Sequence, residues 1–279
     1  TDDNPFMFLE NTFGKKISIT VNTKPVEEGA RTYWVKPIQH ETNLRYMDWV
    51  ESRRKLVDTL SNGRIGYIHL PNTGEDGFRE FYKGLYAYND KEAFIIDDRY
   101  NGGGSFPTQM IYKMKEVPTS YWTRKFLDLG SDPEFLLYGP KAMLINGYSS
   151  SGGDFFPYMF QSLKLGKLIG TRTWGGLVGY STSHDLVDNA SFAVPLYSIT
   201  DTEGKYVVEG TGVNPDIEVI DRPEEIARGN DPCISEAIKQ LLDELDKNPH
   251  KKPVKHSDPD RSKWHEEMPN NNSTGFEKK

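Results

Sequence analysis

Two apolar stretches, Ala93–Asp97 and Lys141–Asn146, each run into a turn of small residues and then into a helical pattern. After the first comes Asn101-Gly102-Gly103-Gly104-Ser105; after the second, Ser149-Ser150-Ser151-Gly152-Gly153. A strand that turns sharply through such residues into a helix holds backbone N–H groups and a hydroxyl at the helix's positive end. Two junctions of this kind predict one site built from two backbone turns. The alternation continues on both sides. Ile65–Leu70, stopped by Pro71, precedes a helical pattern over 76–88 with Phe78, Phe81, Tyr82 and Leu85 on one face. Residues 107–114 and 153–163 read as further helices, and Lys167–Gly170 as a further strand. The repeating unit predicts an α/β architecture with a largely parallel sheet.

The flanks read differently. Residues 1 to about 40 look like β structure: an apolar run at Phe6–Glu10, alternation at Ile17, Ile19 and Val21, and a third strand over Ala30–Ile38. A helix is expected over 42–60, with Leu44, Met47, Val50, Val57 and Leu60 on a common face and a stop at Ser61-Asn62-Gly63. Residues 116–138 carry aromatics in no clean period and read as a long excursion. Beyond Gly170 the chain is β-rich, with a hairpin expected between Ser183–Leu186 and Ser191–Val194 across Asp188-Asn189. Short strands follow at Tyr206–Val208 and Ile217–Ile220, then a helical turn at Pro223–Ala227 and a helix over Pro232–Leu245. The tail from Asn248 is polar and rich in Pro and Asn, and is expected to be mobile or extended on the surface.

Charge and cysteine content narrow the functional classes. A net charge of -7 argues against nucleic acid as the main partner, since a phosphate footprint needs a basic face. Cys233 is the single cysteine, which excludes an intramolecular disulfide and a cysteine-based zinc cluster. Nothing in the chain calls for a metal or a cofactor. No stretch approaches the roughly 18 apolar residues of a membrane span. The chain opens with Thr1 and reads as a processed or excised product, with cytoplasmic and periplasmic or extracytoplasmic locations both open.

Ser151 is the candidate nucleophile, because it ends the serine run where the following helix begins and Gly152 N–H follows it. A serine in this place serves equally well as a plain N-cap. Gly102–Gly104 offers a second N–H for an oxyanion, because glycine lets backbone approach a reacting carbonyl. A phosphate loop would need a following Gly-Lys-Ser/Thr, which is missing, so a phosphate- or CoA-handling enzyme is disfavoured. A serine nucleophile needs a base. Among the six histidines, His184 stands in Thr182-Ser183-His184-Asp185, but neighbours on a strand point to opposite faces. Glu209, beside Gly210 and Gly212, can orient a base or a water, or can be an exposed loop carboxylate.

Six segments carry a family resemblance: RIGYIHLP (64–71), DDRYNGGG (97–104), SSSGGDFFPYMF (149–160), LGKLIGTRTWGG (165–176), VEGTGVNPDIEV (208–219) and DPCISEAIKQLLDEL (231–245). In this order and spacing the chain resembles the C-terminal part of the tricorn protease family, related to the tail-specific, C-terminal-processing serine peptidases. The resemblance implies a partial PDZ-like β domain at 1–41, a connecting helix at 42–62, a crotonase-like (ββα-superhelix) α/β protease core at 63–247 and a polar tail at 248–279. It implies Ser151 as nucleophile, Gly104 and Gly152 as oxyanion N–H donors, and Glu209 as the residue that supports the catalytic histidine through a serine. The family's Ser-His pair belongs to a helical segment before the PDZ domain, which this chain does not match. The isolated chain is therefore expected to be weakly active or inactive, with the histidine coming from N-terminal domains or a partner chain. Pro118–Lys125 lacks the family's acidic selector of basic side chains and offers Trp122, so an apolar-lined substrate pocket is expected. The partners expected are a peptide or unfolded protein as substrate and further copies of the chain in a homo-oligomer. The alternative reading is a non-catalytic peptide- or apolar-ligand-binding module on the same fold.

Overall fold

The computed structural model describes residues 4–123, 129–182, 186–249 and 253–257. The chain divides into two compact units, Thr1–Gly63 and Arg64–Lys279. The first holds a 3-10 turn (Pro5–Leu9), the antiparallel pair β1 (Ile17–Val21) and β2 (Arg31–Val35), and α1 (Thr42–Leu60). The run at Phe6–Glu10, expected as β structure, is the 3-10 turn. Asn4 caps it by accepting the Phe6 N–H at 3.1 Å, and proline stands at its start, where the missing N–H costs nothing.

The second unit runs β3 (Ile65–His69), α2 (Glu75–Ala87), β4 (Ala93–Asp97), α3 (Pro107–Lys115), β5 (Ser120–Trp122), β6 (Gly130–Asp132), β7 (Lys141–Ile145), α4 (Gly152–Ser162), β8 (Lys167–Gly170), β9 (Gly179–Thr182), β10 (Ala193–Tyr197), β11 (Ile217–Glu218), α5 (Pro223–Ala227) and α6 (Pro232–Lys247). Five strands form one all-parallel sheet in the order β11-β8-β7-β4-β3. All five residues of β3 and of β4 are buried, which is why these strands read as continuous apolar runs. Phe94 and Ile96 of β4 and Met143 and Ile145 of β7 share a core with Phe81 and Leu85 of α2, Met110, Ile111 and Met114 of α3, and Phe156 and Phe160 of α4. Helix α6 packs on β4, β7 and β8, and its buried Ile234, Ala237, Ile238 and Leu241 lie outside that core. Helices thus cover both faces of the sheet, as an all-parallel sheet requires.

In the β-rich stretch β9 pairs with β10, Ala193 opposite Thr182 and Val194 opposite Ser181; β10 overlaps the expected strand Ser191–Val194, and residues 183–185 of its expected partner lie outside the described residues. Asp188-Asn189 does turn the chain, but into a local closure in which Leu186 N–H donates to Ala190 O at 2.8 Å. Tyr206–Val208 is no strand: Tyr206 makes one bridge to Thr200, and Val208 takes φ +72°, which breaks the extended run. The excursion over 116–138 contains the two-stranded ribbon β5–β6. Among the described residues no helix is long and apolar enough to cross a membrane.

Beneath the C-terminal end of β4 lies a buried ion cluster. Arg99, 1 % exposed, donates to Asp97 (Nη2 to Oδ2, 2.6 Å), Asp221 (Nη1 to Oδ2, 2.9 Å) and Asp231 (Nη2 to Oδ2, 3.0 Å). Tyr67 OH donates to Asp97 at 2.7 Å, and His69 Nε2 donates to Arg99 O at 3.1 Å. Burial alone would lower the Arg99 pKa, but Asp97 and Asp231 outweigh it and hold it well above the ordinary value. Burial likewise works to raise Asp97, and Arg99 overrides it and holds that carboxyl below its usual range. Asp231 also caps α6 through Ile234 N–H at 3.0 Å. Replacing the cation in Arg99→Met would leave buried carboxylates facing one another. The expected loss is about 3–5 kcal/mol of unfolding free energy, read from urea denaturation.

Candidate active site

The serine turn after β7 is stitched to two other loops, one bond per serine. Ser149 Oγ donates to Asp98 O at 2.7 Å, Ser150 N–H to Asn101 O at 2.9 Å, and Ser151 N–H to Gly176 O at 3.0 Å. Asn146 Oδ1 accepts N–H groups from both Tyr100 and Tyr148 at 3.1 Å, tying the ends of β4 and β7 together. Ser151 is exposed at the N-cap of α4, with φ +55° and ψ -116°. A non-glycine residue held there costs on the order of 1–3 kcal/mol and persists only when its surroundings over-determine it.

The glycine loop lies against this turn. A Cβ added at Gly103 would stand 2.7 Å from Ser151 Cβ. One added at Gly152 would stand 2.7 Å from Gly104 N and 2.5 Å from Gly104 O. Gly104 has φ +144°, and a Cβ there would meet Gly74 N at 2.2 Å, so both positions admit only glycine. The N–H groups of Gly104 and Gly152 donate to no acceptor among the described residues. Unpaired N–H groups in adjoining backbone, one of them at a helix N-terminus, are what an oxyanion-binding site requires.

The 173–178 segment joins the third part of the site. Asp154, buried in the first turn of α4, accepts Gly175 N–H at 2.7 Å and Gly176 N–H at 3.3 Å on one carboxylate, and Ser151 N–H at 2.8 Å. Glu209 holds the next two residues of the same segment, its Oε2 accepting Leu177 N–H at 2.6 Å and Val178 N–H at 2.7 Å. Val208, just before it, is the centre of a γ-turn closed by Glu209 N–H to Val207 O at 2.8 Å. Glu209 also forms part of a pocket of about 550 Å³ with Val178, Leu196, Tyr197 and Tyr206.

Ser151, Gly104 and Gly152 are thus brought together, and Glu209 is linked to them through residues 175–178. Trp122 lies in the β5–β6 ribbon, where its ring packs over Gly130. Among the described residues no histidine hydrogen-bonds to Ser151; Ser183 and His184 lie outside the described residues, as do His250 and His265. Among the described residues no three His, Cys, Asp or Glu side chains gather to hold a metal ion. Asp154 and Asn101 were not singled out from sequence. The S-x-x-D spacing of a capping box was the available signal for Asp154. Asn101 orders the glycine loop by accepting Gly103 N–H at 2.8 Å.

Asp98, next to the ion cluster, behaves oppositely to Asp97. It is fully buried and its Oδ1 accepts the Asn101 amide at 2.8 Å, while Oδ2 has no partner among the described residues. Burial, and then the charge of Asp97, raise its pKa well above the ordinary value.

A parallel α/β sheet with a serine and two unpaired N–H groups at neighbouring strand ends has the layout of a serine hydrolase. Residues 64–219 match peptidase family S41, and the chain belongs to that family. It is 36% identical over 231 residues to the tricorn protease of Thermoplasma volcanium, covering 82% of this chain and 22% of that protein. It is 32% identical over 249 residues to tricorn protease homolog 1 of Streptomyces coelicolor, covering 89% of this chain and 23% of that protein. The crystal structure of the tricorn protease superimposes with a TM-score of 0.81 at 33% identity, over 87% of this chain and 24% of that one. The chain therefore spans about a fifth of the length of these relatives.

The Asp98 carboxyl gives this region a pH signature. Unfolded, it ionises near about 3.9; folded, it stays protonated to a much higher pH. Its contribution is complete below about pH 4 and declines as pH rises towards the raised value. Asn cannot titrate, so Asp98→Asn is expected to gain stability on the parent as pH rises above about 4 towards the raised value. The gain has a ceiling of about 1.4 kcal/mol per pH unit, measured from urea midpoints across that range.

Proposed function

We propose that this chain is the catalytic core of a tricorn-like serine endopeptidase. The observation that carries the reading is the pair of unpaired N–H groups, Gly104 and Gly152, in adjoining backbone beside the strained, exposed Ser151. Ser151 Oγ attacks a peptide carbonyl, the two N–H groups take the oxyanion, the amine leaves, and water releases the acyl group. In this reading residues 63–247 form a crotonase-like core and residues 1–41 the end of a PDZ-like domain. The exposed Val21, Tyr33 and Trp34 of the two-stranded β1–β2 pair support that, since such a pair is marginal on its own.

The general base is then a histidine from outside these 279 residues, carried by N-terminal domains or a partner chain. Glu209 supports it from the wall of the pocket formed with Leu196, Tyr197 and Tyr206. Its carboxylate is already oriented by two backbone N–H groups, which suits a group that must position a base rather than move. The substrate is a peptide or unfolded protein, and the enzyme works within a larger assembly. Trp122 is proposed as an apolar wall for the substrate side chain.

Fluorophosphonate labelling of the full-length protein tests this. Labelling is expected at Ser151, abolished in Ser151→Ala, slowed on the order of a hundredfold in Glu209→Gln, and unchanged in His184→Ala. A full-length protein that binds peptide but is never labelled would instead be a binding module on the same fold.

A further inference from the structure

We propose that the hydroxyl of Thr73 is a third donor to the oxyanion formed at Ser151, an inference that rests on the peptidase reading above. Thr73 lies in the turn between β3 and α2 and is fully buried. Its backbone is bound to the glycine loop on both sides: Thr73 N–H donates to Gly103 O at 2.9 Å, and Thr73 O accepts Phe106 N–H at 2.8 Å. The turn is therefore part of the same rigid assembly as Gly104. Its side-chain oxygen is different. Thr73 Oγ1 is shielded from solvent and has no hydrogen-bond partner among the described residues.

A buried hydroxyl with no partner forfeits its hydration, and folded proteins retain few of them. Valine has the same shape and would carry no such cost. The hydroxyl is thus stationed for an acceptor that arrives with a ligand. Its position says which one. The point where a Gly152 Cβ would sit is 2.1 Å from Thr73 Oγ1 and 2.7 Å from Gly104 N. The hydroxyl lies beside Gly104 N and the Gly152 backbone, so three donors without acceptors are neighbours. The acceptor that meets all three is an oxygen carrying full negative charge.

In the attack, the Ser151 Oγ–carbon bond forms as the carbonyl π pair moves onto oxygen, and the serine proton passes to the general base. The new oxyanion then accepts from two N–H groups and from Thr73 O–H, with no proton transferred to it. A donor shut off from water is worth most at that stage, because it neither reorganises nor competes with solvent.

The test uses the full-length protein carrying Thr73→Val or Thr73→Ser, with the rate of fluorophosphonate labelling at Ser151 and the Tm as readouts. Thr73→Val is expected to label roughly a hundredfold more slowly than the parent with an equal or higher Tm, and Thr73→Ser to label near the parent rate. A lower Tm in Thr73→Val, or labelling at the parent rate, overturns the proposal. If valine is not accommodated, Thr73→Ala against Thr73→Ser makes the same comparison, and equal rates overturn it. A parent protein that is not labelled sinks the peptidase reading and this donor with it. A labelled parent whose Thr73 variants label alike sinks the donor alone.

Discussion

One buried guanidinium holds the C-terminal edge of the sheet in place. Arg99 joins Asp97 at the end of β4 to Asp221 after β11 and Asp231 at the start of α6, which lie 122 and 132 residues further along the chain. An ion cluster of this kind is not a source of large net stability, because desolvating four charges offsets most of their attraction. Its effect is geometric. Planar, many-toothed donors accept few arrangements, so the residue that opens the glycine loop is set before any side chain of the loop is considered. Asp98, one residue away and lacking a cation, has its pKa raised well above the ordinary value by burial and by the charge of Asp97.

The serine turn inherits that precision. Its three serines are tied to residues 98, 101 and 176, and two carboxylates, Asp154 and Glu209, hold the 175–178 segment by its backbone N–H groups. Ser151 and Val208 both take positive φ, and both sit where these ties converge. Strain maintained by this many bonds is a common property of sites that present one reactive group in a fixed orientation. The glycine loop adds close backbone approach, which brings the Gly104 and Gly152 N–H groups together without side chains between them.

Much of the α/β unit was legible from local pattern. Strands β3, β4 and β7 are buried on both faces, so they appear as unbroken apolar runs, and α2 and α6 show one-sided apolar spacing. Phe6–Glu10 misled because an apolar run of that length fits a strand or a turn, and the cap from Asn4 with a proline start decided for the turn. Tyr206–Val208 misled because the closing of a γ-turn at Val208 depends on where Glu209 must reach, not on the β preference of valine. Asp154 escaped notice because its partners, Gly175 and Gly176, lie more than twenty residues away.

By itself the sequence determined the parallel sheet, the two glycine-rich junctions and the serine at a helix start, since these follow from periodicity and from residues with special backbone freedom. Family resemblance in the same residues singled out Ser151, Gly104, Gly152 and Glu209. Only the tertiary structure decided that Gly104 and Gly152 lie beside a partnerless Thr73 hydroxyl, and that Asp154 and Glu209 hold successive parts of the same segment. The reason is physical: hydrogen-bond satisfaction and close backbone approach are properties of chain segments meeting in space, and no local pattern records which donor is left without an acceptor.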